Sequence, residues 1–130
     1  MRPEIYGTQD SRLRADIRRL CRRIDRDLKP EPSVVNVVFV TDPQIHALNR
    51  RFLRRDRPTN VISFNSPESH LPGEPRLLGE VYVSRDRARA QAREYGVTYA
   101  SELRRLVLHG LLHLLGLTHR EMEPYYNKYL

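Results

Sequence analysis

The sequence predicts an α/β (α+β) domain, a small mixed sheet of three to four strands packed with about five helices. Three observations predict it. Segments of β-branched residues alternate with segments of helical period through the first two-thirds of the chain, and helical patterns fill the rest. Proline, glycine and capping residues punctuate these segments at short intervals. The length, 130 residues, suits one domain over residues 1–130, and a chain of that size buries about two-thirds of its unfolded surface without staples.

The elements follow in order. Residues 3–6 carry a weak strand signal. Asp10 and Ser11 can cap a helix in which Leu13, Ile17, Leu20, Ile24 and Leu28 recur every three or four residues, the stripe of a buried helix face. Lys29-Pro30-Glu31-Pro32 stops it, because proline denies its neighbours the helical conformation. Residues 34–40 are a β-branched run with little alternation, read as a strand covered on both faces. Thr41-Asp42-Pro43 is a cap with a proline at the first helical position. The helix it opens runs to about Leu53, with Ile45, Leu48 and Phe52 inward. Asp56-Arg57-Pro58 turns the chain into a strand at 60–64. A long loop, 65–77, holds Pro67, Pro72, Gly73 and Pro75. Residues 79–84 form a strand with Val81 and Val83 on one face and Glu80 and Tyr82 on the other. Helices follow at about 85–95, closed by Gly96, and at about 99–115, closed by Gly116. A last short helix is expected at 121–130, with Pro124 in its first turn.

Composition narrows the function. Lysine plus arginine total 23 against 16 acidic residues, a net charge of +7. Only Lys29 and Lys128 are lysines, so the positive charge is almost all arginine, the side chain that grips phosphate in a planar, bidentate way. A nucleic-acid or other polyanionic partner suits this balance, although basic proteins are also simply soluble. The single cysteine, Cys21, excludes an intrachain disulfide and a thiolate zinc site. No apolar run reaches the roughly 18 residues a membrane span requires. The N-terminus lacks the apolar core of a secretory signal.

The informative segment is His109-Gly110-Leu111-Leu112-His113-Leu114-Leu115-Gly116-Leu117-Thr118-His119. Residues four apart on a helix share a face, so His109 and His113 sit one turn apart, as two ligands of one ion require. Gly116 can take a left-handed conformation that ends the helix and lets His119 return to the same ion. Three neutral imidazoles with an open fourth position suit a catalytic zinc ion, which lowers the pKa of bound water to about 7. A leucine-rich helix explains the leucines but not three histidines at these positions. The spacing matches the zinc-peptidase pattern H-E-x-x-H-x-x-G-x-x-H at every position but one: Gly110 stands where the peptidase has its glutamate base. Glycine accepts no proton from water, which argues for different chemistry on the same scaffold.

Residues His109 to His119 resemble the H-G-x-L-H-L-x-G-x-D-H signature of the YbeY family, metal-dependent endoribonucleases of ribosomal RNA maturation. Leu48-Asn49 followed by Asp56-Arg57-Pro58-Thr59-Asn60-Val61-Ile62-Ser63-Phe64 resembles that family's L-N-x-x-[YF]-R-x-x-D-x-P-T-[ND]-V-L-S-F. Leu78-Gly79-Glu80-Val81-Tyr82-Val83-Ser84 is similar to its L-G-[DE]-I-x-I-S strand. The three matches fall in the family's order. The resemblance implies a zincin-like hydrolase core, one zinc ion on His109, His113 and His119, and single-stranded RNA as substrate. It also implies work on the ribosomal RNA precursor of the small subunit, in the cytoplasm of bacteria or in organelles. It identifies no general base.

Two departures stand out. The family's aspartate before the third histidine is Thr118, which can hydrogen-bond but carries no charge to orient an imidazole. The family's arginine after the aromatic residue falls on Leu53, so its role does not transfer. Arg54, Arg55 and Arg57 are the candidate phosphate-binding residues, in a cluster with Arg50 and Arg51; the bland alternative is a solvated helix end. His46 and His70 have no partner at ligand spacing, and Tyr125, Tyr126 and Tyr129 read as packing residues. Two rival functions remain open: an RNA- or ribosome-associated module with a structural zinc, and a metal hydrolase of another substrate.

Overall fold

The computed structural model describes residues 1–67 and 72–130. The chain runs β1 (Arg2–Tyr6), α1 (Ser11–Leu28), β2 (Ser33–Val40), α2 (Asp42–Leu53), β3 (Val61–Asn65), β4 (Arg76–Ser84), α3 (Arg85–Tyr95), α4 (Tyr99–Leu114) and α5 (His119–Tyr129). The four strands form one mixed sheet in the order β1-β2-β4-β3, with β1, β2 and β4 parallel and β3 antiparallel to β4. His70 and its neighbours 68–71 lie outside the described residues.

Every helix starts on an oxygen-bearing cap. Asp10 accepts from the N–H groups of Arg12 and Leu13, and Ser84 and Thr98 cap α3 and α4 in the same way. Thr41 and Gln44 form a reciprocal capping box on α2, and Thr118 and Glu121 form one on α5. Each such cap stabilises its helix by about 1 kcal/mol.

Side chains alternate across a strand, and this splits the core in two. Val35, Val37 and Phe39 of β2 and Val81 and Val83 of β4 pack against the α1 stripe and the apolar face of α4. On the opposite face Val38, Ile62, Phe64 and Tyr82 pack against Ile45 and Leu48 of α2. The sheet therefore separates α2 from α4.

Several elements depart from the sequence reading. β2 alternates after all: its α1-facing side is fully buried and its α2-facing side only half so, because a single helix covers that side. β4 begins at Arg76, three residues early. Leu77 pairs with Val34 across a register shift that skips Leu78, and no turn signal marks that irregularity. Phe52 is 54% exposed rather than inward, and its ring meets Phe64 edge-on at 5.5 Å. α5 starts at His119 because Thr118 caps it, which places Pro124 inside the helix.

The C-terminal helix is tied to the N-terminal one. Tyr129 is buried, its hydroxyl lies against Asp27, and Lys128 and Arg26 reach the same carboxylate at 2.9 Å. Arg26, Tyr129 and Lys128, in that order, hold the Asp27 carboxyl far below the usual carboxylate range. A carboxylate depressed in the folded state contributes stability above its unfolded pKa of about 3.9, and that contribution fades as pH falls further. Asp27→Asn should therefore flatten the acid side of a plot of urea midpoint against pH. Parallel curves for both proteins would exclude this role.

Candidate metal centre

α4 lies across β3 and β4, and its closeness to them sets the site. Gly110 is buried; a Cβ there would stand 2.4 Å from Val81 Cγ1 and 3.0 Å from Cγ2. Only glycine lets the helix axis come this near the strand. The missing peptidase glutamate thus has a packing cause: no side chain fits at that position. Asn65 Nδ2 donates to the Leu114 carbonyl at 2.9 Å and pins the end of the helix to β3.

The structure gathers the three histidines. The His109 and His113 rings are nearly parallel, with centroids 6.5 Å apart, and His119 meets His109 at 5.2 Å. Gly116, at φ +86°, makes the bend that returns the chain. His119 then occupies the first position of α5, so the cap on Thr118 decides where that imidazole begins. Thr118 spends its hydroxyl on the Glu121 N–H and its own N–H on the Glu121 carboxylate. Among the described residues that hydroxyl makes no hydrogen bond to a histidine.

Two hydroxyls orient the rings. Ser63 Oγ is 2.7 Å from His113 Nδ1, and Tyr126 Oη is 2.8 Å from His109 Nδ1. The Tyr126 hydroxyl has an acceptor of its own, Met122 Sδ at 3.6 Å. Its oxygen is thereby left to accept from Nδ1–H, which keeps the lone pair of His109 on Nε2. Burial first, then His119, His113 and Arg105, push the His109 pKa below its ordinary value and favour the neutral imidazole. For His109 this is the state in which an imidazole ligates a metal: neutral, with one nitrogen engaged and the other available.

Geometry tests the fit further. Zinc–nitrogen bonds of 2.0–2.1 Å at tetrahedral angles place ring centroids about 5 Å apart. The His109–His119 pair, at 5.2 Å, meets that separation, and the His109–His113 pair, at 6.5 Å, is wider than it by about 1.5 Å. Accordingly, among the described residues no three His, Cys, Asp or Glu side chains are gathered tightly enough to enclose an ion as they stand. His113 is exposed in the last turn of α4, and turning its ring further inward would have to carry or break its contact with Ser63 Oγ. Imidazole nitrogens are donors a metal accepts, and enclosing one here would take a movement of side chains.

Arg54, Arg55 and Arg57 are placed differently. All three are exposed in the segment joining α2 to β3, and among the described residues none hydrogen-bonds to a histidine. Arg54 ends α2 in a left-handed conformation, φ 55°. Asn49 holds this segment: it is 2% exposed, its Nδ2 donates to the Arg57 carbonyl at 2.8 Å, and its backbone carbonyl accepts from Arg55 N–H. Asn49→Ala removes that donor and should loosen the arginine turn, at a cost of about 1 kcal/mol, the net worth of one such hydrogen bond. Urea denaturation and amide exchange at Arg55 to Arg57 would measure both, and native-like protection would count against the tether. Leu53 is 44% exposed and makes no polar contact.

Sequence reading missed four participants. The 58–64 segment suggests at most that its polar side chains, Ser63 among them, line a substrate groove, and Tyr126 reads as packing ahead of stacking on RNA; neither reading pairs them with a histidine. Arg105 lies one turn before His109 on the same face of α4, and its Nε pairs with the buried Glu102 carboxylate. No local signal marks these pairings, since each joins elements distant in sequence or depends on helix register. His46, by contrast, is a surface residue as expected, paired with Asp56 at 2.8 Å.

Comparison with known proteins follows the same lines. The family model of endoribonuclease YbeY matches residues 4–127. The endoribonuclease YbeY of Syntrophotalea carbinolica is 42% identical over 104 residues, covering 79% of this chain and 69% of that protein. Its counterpart from Syntrophus aciditrophicus is 34% identical over 120 residues, covering 89% and 75%. The solution structure of TM1509 from Thermotoga maritima superposes with a TM-score of 0.67 at 31% identity, covering 98% of this chain and 85% of that one.

Proposed function

The chain belongs to the YbeY endoribonuclease family, and from that premise we propose a metal-dependent cut in single-stranded ribosomal RNA precursor. His109, His113 and His119 hold one zinc ion in this reading. The observation that carries it is the pair of hydroxyls, Ser63 and Tyr126, that engage Nδ1 of two neighbouring imidazoles, which leaves Nε2 of each as the nitrogen for a metal. When bound, zinc supplies Lewis acidity that lowers the pKa of a water and polarises a phosphodiester oxygen. The protein's own part is to aim the rings. Tyr126 and Ser63 hold the rotation of two of them, and burial favours the neutral form of His109. Arg105, fixed by Glu102, brings positive charge beside the cleft for the phosphate backbone. Arg54, Arg55 and Arg57 add charge along the approach and contribute affinity rather than base preference.

The substrate is the small-subunit precursor, met in the cytoplasm. The family's work in ribosomal RNA processing and the chain's net charge of +7 support that choice. No helix among the described residues is long and apolar enough to cross a membrane. Exposed Leu53 at the family's arginine position favours one second reading, an RNA-binding module whose zinc is structural. Single-turnover incubation with precursor ribosomal RNA, with and without a chelator, separates the two. Discrete products that vanish on chelation and return with zinc support the enzyme; tight binding without products supports the module.

Tyr126→Phe tests the orienting role. Loss of a hydrogen-bond partner behind a ligating histidine costs about 10–100-fold in metal affinity or activity. Zinc affinity measured by competition with a chromogenic chelator should fall in that range while the helix content is unchanged. Unaltered affinity would remove Tyr126 from the site.

A further inference from the structure

A crevice of about 440 Å³ lies at the opposite end of α4 from the histidines. It opens where β1 ends at Gly7, where β2 reaches Phe39, and where β4 passes into Arg85. These are the carboxyl ends of the three parallel strands, the place where open α/β sheets bind ligands. Tyr99, at the start of α4, lines it; His113 lies 14 residues further along the helix, about 20 Å at 1.5 Å per residue. None of its lining residues belongs to the histidine centre.

Three arginines face this space: Arg12, Arg85 and Arg89. Among the described residues neither Arg12 nor Arg85 has a carboxylate within 4.0 Å, and Arg89 has only Asp86, at 3.9 Å. The acids in the crevice are already committed. Asp10 accepts from the Arg12 and Leu13 N–H groups, and Asp16 pairs with Arg104 at 3.3 Å. The lining thus carries three guanidiniums against two carboxylates, an excess of positive charge. Arg85 is held in position by donating to the Gly7 carbonyl at 3.2 Å. The floor is apolar, made by Leu13, Phe39 and Leu103, all buried. Beside it the Arg89 guanidinium lies 4.8 Å from the centre of the Tyr99 ring, presenting a flat π surface. The volume falls within the 300–1,000 Å³ usual for small-molecule sites.

An anionic group at one end and a planar, weakly polar body at the other satisfy these walls together. We propose that the crevice binds a nucleoside monophosphate unit, with phosphate on Arg12 and Arg85 and the base against the Arg89–Tyr99 stack beside the apolar floor. The unit is either a free nucleotide or the 5′-phosphorylated end of an RNA. The site does not rest on metal binding at the histidines.

Amide shifts of the ¹⁵N-labelled full chain, titrated with AMP, with a 5′-phosphorylated tetraribonucleotide and with inorganic phosphate, test the assignment. Shifts are expected at Thr8, Gln9, Tyr99 and Ala100 with both nucleotides. Arg12 and Arg89 are exposed, so Arg12→Glu with Arg89→Glu should keep the fold, visible in the same spectra, and weaken binding at least about tenfold, as lost charged hydrogen bonds do. His113→Ala should titrate like wild type at these amides. Tighter binding of the tetranucleotide identifies an RNA end, and equal binding a free nucleotide; both support the site. Shifts confined to the histidine cleft, unchanged affinity in the double variant, or equally tight binding of inorganic phosphate would each overturn it.

Discussion

His113→Ala is expected to lose bound metal and RNA cleavage together while keeping the wild-type fold. The position makes this a clean test. His113 is exposed in the last turn of α4, so its removal leaves no cavity in the core, unlike truncation at half-buried His109. Two remaining imidazoles make a poor zinc site, because the ion's preference for four ligands then goes unmet by protein. Elemental analysis should show about one zinc per wild-type chain and none in the variant. Cleavage of precursor RNA should fall by at least about 100-fold, beyond the range attached to residues that merely support a ligand. Circular dichroism and the urea midpoint should barely move. Cleavage that survives in metal-free His113→Ala would sink the mechanism. Ser63→Ala offers a graded companion: it removes only the partner of His113 Nδ1, so partial losses of both readouts should move in step.

Much of this site was legible because it is local. Two histidines four apart on a helix, a glycine in a left-handed bend and a third histidine three residues on need only helix geometry to be brought near one another. Caps were legible for the same reason, as with Thr41 and Ser84, whose hydroxyls act within one turn. What escaped reading is non-local. Tyr126 lies 17 residues beyond His109 and Ser63 lies 50 before His113, and only the packing of α4 on β3 and of α5 on α4 joins them. The bulge beside Leu78 and the outward Phe52 depend on which neighbour covers which strand face, and a single segment does not encode that. Thr118 shows competition between local and distant demands: a capping residue spends its hydroxyl on its own helix before any imidazole can claim it.

Gly110→Glu, which rebuilds the peptidase pattern letter for letter, should yield an unstable protein and no peptidase. In an open helix, glycine to alanine usually stabilises by about 0.5–1 kcal/mol through backbone entropy. Here that gain is opposed by contact, since the first carbon of any side chain would lie 2.4 Å from Val81 Cγ1. Valine has few alternative rotamers, and Val81 is fully buried between β2 and β3, so the neighbour has little room to yield. Overpacking of this kind costs about 1–3 kcal/mol. A glutamate adds the burden of placing a carboxylate among buried apolar groups, a further cost of several kcal/mol unless it is protonated or forces the helix away. Gly110→Ala isolates the steric part: urea unfolding should show a net loss, the reverse of the helix-propensity expectation. Val81→Ala creates the missing space, so the double variant should be more stable than the two single losses added together, a coupling that a double-mutant cycle reads directly. Stabilisation by Gly110→Ala alone would mean that the helix does not sit this close to β4. The same variant would then reopen the question of why this centre carries no glutamate.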